Sequence, residues 1–395
     1  MKNICTDCDR LSIWHFETWV GGNLDALLPR FVFSKRSEQV ASLVIEYIFR
    51  WIGLLEMREE FSPSELQPRS ACLVREIRAR GVVILAAHSA YGYTGYFSAH
   101  FHGTDVRFEG LPVALFTRTQ CTVSVESKKE TKEHLVRGGF PVAPGKTFWW
   151  WQTRVAILYG AHQLGFPLVV KPCNGSVARH ITTNITNVDE LSRAIKKAVS
   201  YGPAYMIERF IDHASVFRVT VVDDTYVACA RQIPAHVVGD EATSVRALIE
   251  KKNKIRTENT ANEMGKLFYP LKIDGSTEKL LAEQGYTMDT VPRLGESVYV
   301  QRDPFLKLGG DIIEVTEMMH PDNRDLCQRI AKFFDLRLVG IDVMMDDIAR
   351  SWKEQRCVVL ELNDLPCIEM HQFPSLGKPQ NIAAPVVDLL FKYYV

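Results

Sequence analysis

The segments 338-LVGIDVMM-345 and 357-CVVLELN-363 decide the architecture. Each is an apolar run of strand length, and each carries acids where a buried strand would carry none: Asp342 in the first, Glu361 with Asn363 in the second. Side chains two apart on a strand share a face, so Glu361 and Asn363 stand side by side, and Asp342 is able to face them across the ladder. A lone carboxylate in such apolar company is too costly to leave without a partner. Two carboxylates and an amide oxygen suit Mg²⁺, which takes few protein ligands and completes its shell with water and nucleotide phosphates. The competing reading is a pair of acids on an exposed sheet face.

Outward from this pair the chain is regularly punctuated from about residue 115. Ser127 and Glu130 make an S-x-x-E cap for a helix over 128–137, which Gly138-Gly139 closes. A strand 167-PLVVK-171 follows, and Asn187 with Glu190 caps a second helix over 188–199 whose Leu191, Ile195 and Ala198 share one face. Next come a strand, 204-AYMIERFI-211, and a hairpin, 217-FRVTVV-222 and 225-TYVACAR-231, turning at Asp223-Asp224. Helices are predicted near 244–252, 323–335 and 383–394, and the stretch 254–300 is weakly patterned. Before residue 115, 82-VVILAA-87 reads as a strand and helical periods fill much of 36–80, consistent with a small α/β unit. Alternating strands and helices with hairpins predict an α/β (α+β) enzyme.

Composition narrows the class. With 395 residues, 47 basic against 47 acidic side chains and 46% apolar content, the chain holds packed cores and has no electrostatic drive toward nucleic acid or an anionic membrane. Its nine cysteines are an odd number spread through apolar runs, which suits reduced thiols in a cytoplasmic protein. Cys5-x-x-Cys8 has no second pair at metal spacing. The most lipophilic stretch, 40-VASLVIEYIFRWIGLLEM-57, carries Glu46 and Arg50, so a buried or interface helix is expected rather than a membrane span.

Two lysines stand where anions are favoured. Lys128 opens the capped helix, and Lys171 ends its strand before Pro172, which predicts an ammonium aimed outward. Together with the acid-bearing strand pair they suggest a polyphosphate ligand. The segment 139-GFPVAPGKT-147 imitates a phosphate-binding P-loop and fails. Five residues separate its glycines where four are needed, and Pro141 and Pro144 remove two backbone donors.

The ordered set 127-SKKETKEHLVRGGFPVAPG-145, 165-GFPLVVKPCNGS-176, 206-MIERFI-211, GIDVMM and ELN resembles the ATP-grasp superfamily of carboxylate-amine ligases. Within it the chain is most similar to the ATP-grasp part of cyanophycin synthetases and the related glutathione-forming ligases. That likeness runs through 218-RVTVVDDTYVACARQIPAHVVGD-240, 285-GYTMDTVPRLGESVYVQR-302, 309-GGDIIEVTEMMHPDN-323 and 361-ELNDLPCIEMHQFPSLGKPQNIA-383. The resemblance implies an ATP-grasp fold: an N-terminal α/β unit over 1–115, then two α+β subdomains, 116–206 and 207–395, that clasp ATP. It further implies that Lys128, Lys171 and Ser176 meet ATP phosphates. Glu208, Arg209, Phe210 and Ile211 would form the hinge beside adenine, Asp212 would take the ribose, and Asp342, Glu361 and Asn363 would hold Mg²⁺. Arg302 corresponds to an arginine near the acyl-phosphate, and Gly309-Gly310 to a double glycine whose N–H groups approach the reacting phosphate. Arg218 and Arg231 fall near the nucleotide or the substrate carboxylate.

The implied reaction joins an amino-acid or small peptide carboxylate to an amine through an acyl-phosphate, consuming ATP. Two alternatives stand beside it: a ligase that modifies a peptide or protein, and a nucleotide-binding relative with little catalysis. The chain departs from the family where Ala178 and His180 replace expected glycines of the flap, where His213 replaces another, and where 302-RDPFLKLGG-310 lacks a polar run before its glycines. No Mur-ligase-like domain is read after the match and no glutamate-cysteine ligase domain before it, so a single-step ligase is expected.

Overall fold

The computed structural model describes residues 15, 19–20, 44, 46–101, 103–112, 125, 127–174, 180–212, 215–258 and 268–394. Cys5, Cys8, Ser176, Ala178 and His213 lie outside them. The chain divides into two compact units, and neither is continuous in sequence. The smaller gathers Met1–Ala41, Thr122–Ala214 and Arg356–Asn363; the larger gathers Ser42–Cys121, Ser215–Gln355 and Asp364–Val395.

The larger unit begins with an antiparallel meander in spatial order: β1 (Glu56–Arg58), β2 (Val83–Ser89), β3 (Gly92–Phe101) and β4 (Thr104–Glu109). Helix α1 (Pro68–Ala79) starts with Pro at its first turn, where no N–H is needed, and buries Ala71, Cys72, Leu73, Val74 and Ile77. These side chains join Ile84, Phe97, Phe101 and Val106 in one core with Val386, Val387 and Leu390 near the C-terminus. The helical expectation for 36–80 therefore holds over the described residues 46–51 and again from Pro68 and fails at β1, and β3 and β4 go unread because Gly92, Gly95 and Gly103 interrupt their alternation.

The smaller unit packs helices against one antiparallel sheet. Helix α2 (Lys128–Arg137) is entered at Ser127, whose Oγ accepts from Glu130 N–H at 3.4 Å. Then follow β5 (Gly145–Trp149), α3 (Arg154–Leu164), β6 (Leu168–Pro172), β7 (Thr182–Ile185), α4 (Val188–Val199) and β8 (Ala204–Arg209), with sheet order β5-β8-β6-β7. Asn187 Oδ1 accepts from Glu190 N–H at 2.9 Å, and α4 buries Leu191, Ala194 and Ala198. Gly145 opens a strand, not a helix, so the P-loop imitation has no helix N-terminus to point at a phosphate.

Returning to the larger unit, β9 (Ser215–Val222) and β10 (Tyr226–Ile233) form the hairpin, with Asp223 and Asp224 both left-handed at φ 50° and 60°. Acidic residues tolerate that conformation because their short side chains bond locally. Then come β11 (His236–Val238), α5 (Val245–Glu258), α6 (Gly275–Glu283), β12 (Ser297–Tyr299), β13 (Asp311–Glu314), α7 (Pro321–Phe333), β14 (Leu338–Met345), α8 (Glu369–Gln372) and α9 (Ala383–Tyr394), while β15 (Cys357–Asn363) falls in the smaller unit. Within the larger unit the sheet runs β13-β10-β9-β14, and β11 pairs with β12. The weakly patterned stretch thus hides α6, whose Asp274-Thr277 capping box was its one local signal.

Candidate functional site

In the smaller unit, strand register brings a carboxylate and a lysine onto one face. Lys171 on β6 stands opposite Met206 on β8, and Val169 opposite Glu208, so Lys171 and Glu208 are diagonal neighbours. Lys171 Nζ lies 2.6 Å from Glu208 Oε2. The other carboxylate oxygen, Oε1, accepts from Lys132, one turn beyond Lys128 on α2. Lys171 and Glu208 are buried at 7% and 6% exposure. This corrects the expectation of an outward ammonium: Pro172 is part of β6, and Lys171 turns inward to a buried acid. Burial pushes the Glu208 carboxyl up, yet Lys171 and Lys132 outweigh it and hold the group below its usual range. Burial also lowers Lys132, partly offset by Glu208.

Gly145 makes this cluster possible. A Cβ there would stand 2.6 Å from Lys132 Nζ and 2.7 Å from Glu208 Cγ, so any larger residue would push these side chains from their places. A cavity of about 450 Å³ opens beside it, with Lys129, Arg137, Thr147 and Met206 in its lining. Lys128 Nζ reaches Glu361 Oε2 at 3.5 Å, so the lysine at the helix start and the acid of β15 are neighbours. Glu361 and Asn363, two apart on β15, are both half-buried. The buried run imagined around Glu361 is thus accessible at the acid itself.

The expected hinge splits. Glu208 belongs to β8 and its side chain to the lysine cluster; Arg209 ends the strand, exposed, and its N–H donates to Pro144 O at 2.9 Å. Phe210 N–H donates to Pro167 O at 2.9 Å, Ile211 is half-buried, and Asp212 is exposed with its carbonyl accepting from Arg356 at 3.1 Å. At the end of the flap, His180 stands at φ 55°, the left-handed conformation a glycine would supply, and its Nδ1 donates to Lys197 O at 3.1 Å.

In the larger unit, Arg218 on β9 stands directly opposite Asp342 on β14. Arg218 Nε donates to Asp342 Oδ1, and Nη2 to Oδ2 at 2.9 Å, with both residues buried. Arg218 is therefore partner to an expected metal ligand. Arg231 is opposite Phe217 while Arg218 is opposite Ala230, so the two arginines point to opposite faces of the sheet and do not form one carboxylate site. Arg231 is exposed, and its side chain makes no hydrogen bond or ion pair with a described residue. Arg302 is exposed and pairs with Glu283 of α6. Gly309 and Gly310 are buried, and their N–H groups already donate to Leu306 O and Phe305 O. A Cβ at Gly309 would meet Leu271 Cα at 2.5 Å, so this glycine pair is explained by close packing and not by a free phosphate cradle.

Beside those glycines Asp311, 7% exposed, is gripped by Lys252 Nζ at 2.6 Å, Arg256 Nη2 at 2.7 Å and Ser375 Oγ at 3.0 Å. Burial pushes its carboxyl up, but Lys252, Arg256 and His236 hold it below its usual range. Two of the described thiols are poor nucleophiles: burial pushes Cys173 and Cys357 up to about 12. Among the described residues no helix is long and apolar enough to cross a membrane, and no three His, Cys, Asp or Glu side chains gather as a metal site. The implied set has two carboxylates and an amide, a hard-oxygen chemistry that fits Mg²⁺, and Arg218 leaves Asp342 lone pairs to spare. The residue that sequence reasoning missed is Lys132; its four-residue spacing from Lys128 was the available signal.

Comparison with known proteins gives concordant matches. The family described as "D-ala D-ala ligase C-terminus" matches residues 110–278. Cyanophycin synthetase of Synechocystis sp. is 32% identical over 344 residues, covering 86% of this chain and 38% of that protein. The glutathione biosynthesis bifunctional protein GshAB of Desulfotalea psychrophila is 27% identical over 272 residues, covering 68% of this chain and 34% of that protein. The chain thus spans little more than a third of the curated relatives it matches. The crystal structure of a bifunctional glutathione synthetase from Pasteurella multocida superposes with a TM-score of 0.58 at 21% identity, covering 83% of this chain and 44% of that one, which shows a shared fold.

Proposed function

The chain belongs to the ATP-grasp ligases, and from that premise we propose that it forms an amide bond between an amino-acid or small peptide carboxylate and an amine. ATP's γ-phosphate passes to the carboxylate, the amine displaces phosphate from the acyl-phosphate, and ADP and phosphate leave. Transfer between two anions is slow chiefly through charge repulsion, so fixed cations are what the protein must supply. Lys128 and Lys171 hold phosphate oxygens in this reading, and Arg302 acts on the transferring group. Asp342, Glu361 and Asn363 would hold Mg²⁺, which when bound neutralises polyphosphate charge.

The observation that carries the reading is Lys128 within 3.5 Å of Glu361: a helix-start lysine beside a half-buried strand acid, the arrangement a metal-bound polyphosphate would bridge. Arg218, by its paired bonds, fixes the orientation of the Asp342 carboxylate. Small-molecule substrates and a cytoplasmic homo-oligomer complete the proposal. The test is ADP release with Mg²⁺-ATP across pooled amino acids and dipeptides. Amine-dependent ADP formation is expected, and its absence in every mixture overturns the assignment.

A further inference from the structure

Lys132 has no role in the reading above, yet it is built into the same cluster at some cost. Its ammonium passes a glycine whose Cβ, if added, would displace it, to a carboxylate that already has a lysine partner. Among the described residues Lys132 and Lys171 have Glu208 as their one ion-pair partner, so this buried group carries two positive charges against one negative.

We propose that Lys132 is a positioning residue, a resident counter-ion for Glu208 that releases Lys171 to the nucleotide phosphates. This rests on the reading that Lys171 binds ATP. With Lys171 alone, withdrawal of its ammonium toward a phosphate would strand a buried carboxylate, and the pair would hold the lysine back. With Lys132 present, withdrawal leaves a neutral Lys132–Glu208 pair and relieves the repulsion between two ammonium groups. The surplus charge is then the one delivered to the ligand. Lysine suits the task because a flexible stem and a point charge exchange partners without a fixed fork geometry.

The test is calorimetric titration of the full chain with Mg²⁺-ATP, with thermal unfolding of each variant as the fold control. Lys132→Met is expected to weaken ATP at least about tenfold, which is about 1.4 kcal/mol. Gly145→Ala, which expels the ammonium by crowding, is expected to weaken it in the same direction. The double variant Lys132→Met/Glu208→Gln should recover most of the affinity, because the acid that detains Lys171 is gone. A merely structural lysine would give no such rescue. If wild type binds ATP and the double variant is no tighter than Lys132→Met, the counter-ion role is wrong and the nucleotide reading stands. If wild type itself takes up no Mg²⁺-ATP, both are wrong.

Discussion

Glu208 in the smaller unit and Asp311 in the larger one are each a buried carboxylate between two cationic side chains, yet the cations are constrained very differently. Around Asp311, Arg256 also donates to Tyr269 O and Gly309 O, each at 2.7 Å, and Lys252 donates to His236 O at 2.9 Å. Neither cation can leave without abandoning backbone carbonyls. Around Glu208 the two lysines pair, among the described residues, with the carboxylate alone. Equal charge arithmetic therefore gives a fixed joint in one unit and an exchangeable pair in the other, and the difference lies in what else each cation holds.

The contrast is most open to attack at Asp311. Asp311→Ala strands two buried cations and should cost about 3–5 kcal/mol of stability, read by urea unfolding; a loss below 1 kcal/mol, on the order of a surface substitution, would deny that the joint is structural. Glu361→Gln should do the reverse, leaving the unfolding curve in place while lowering Mg²⁺-dependent ADP formation by about 10²- to 10³-fold. Retained activity would remove Glu361 from the metal site. Arg256→Lys keeps the charge but loses the fork that bonds two carbonyls, so a loss of about 1–3 kcal/mol is expected. Full stability of that variant would show charge alone to matter there.

The pH response follows from the depressed carboxyls. A folded-state value below the unfolded one gives stability that is complete above the unfolded value, about 4.3 for Glu, and is lost as pH falls through the folded value. Urea unfolding between pH 2 and 5 should therefore show an acid limb, and Glu208→Gln should make it shallower by at most about 1.4 kcal/mol per pH unit. An unchanged slope would mean that Glu208 is not held ionised by its lysines. The smallest change is expected for Arg302→Ala, which leaves thermal stability alone and lowers kcat more than ATP affinity. A pure loss of nucleotide binding would reassign that arginine.

Much of the secondary structure was legible locally. Ser127 and Asn187 mark helix starts, the Asp223-Asp224 pair marks the hairpin, and the apolar runs around Asp342 and Glu361 match β14 and β15 residue for residue. These are short-range effects: caps, turns and side-chain period act within one turn or strand. The meander over 83–109 was only partly legible, because glycine-interrupted strands carry little alternation. The site was legible as a list of residue types. Which atoms face which was not.

The sequence by itself determined the kinds of groups at hand: lysines at a helix start and a strand end, and oxygen donors on two adjacent apolar runs. Only tertiary structure decided that Lys171 turns inward to Glu208, that Lys132 shares that acid through the gap left by Gly145, and that Arg218 rather than solvent meets Asp342. It also decided that the N–H groups of Gly309 and Gly310 are spent within their own turn. The reason is physical: a charge's meaning depends on partners far along the chain and on the solvent excluded between them, and neither quantity is local.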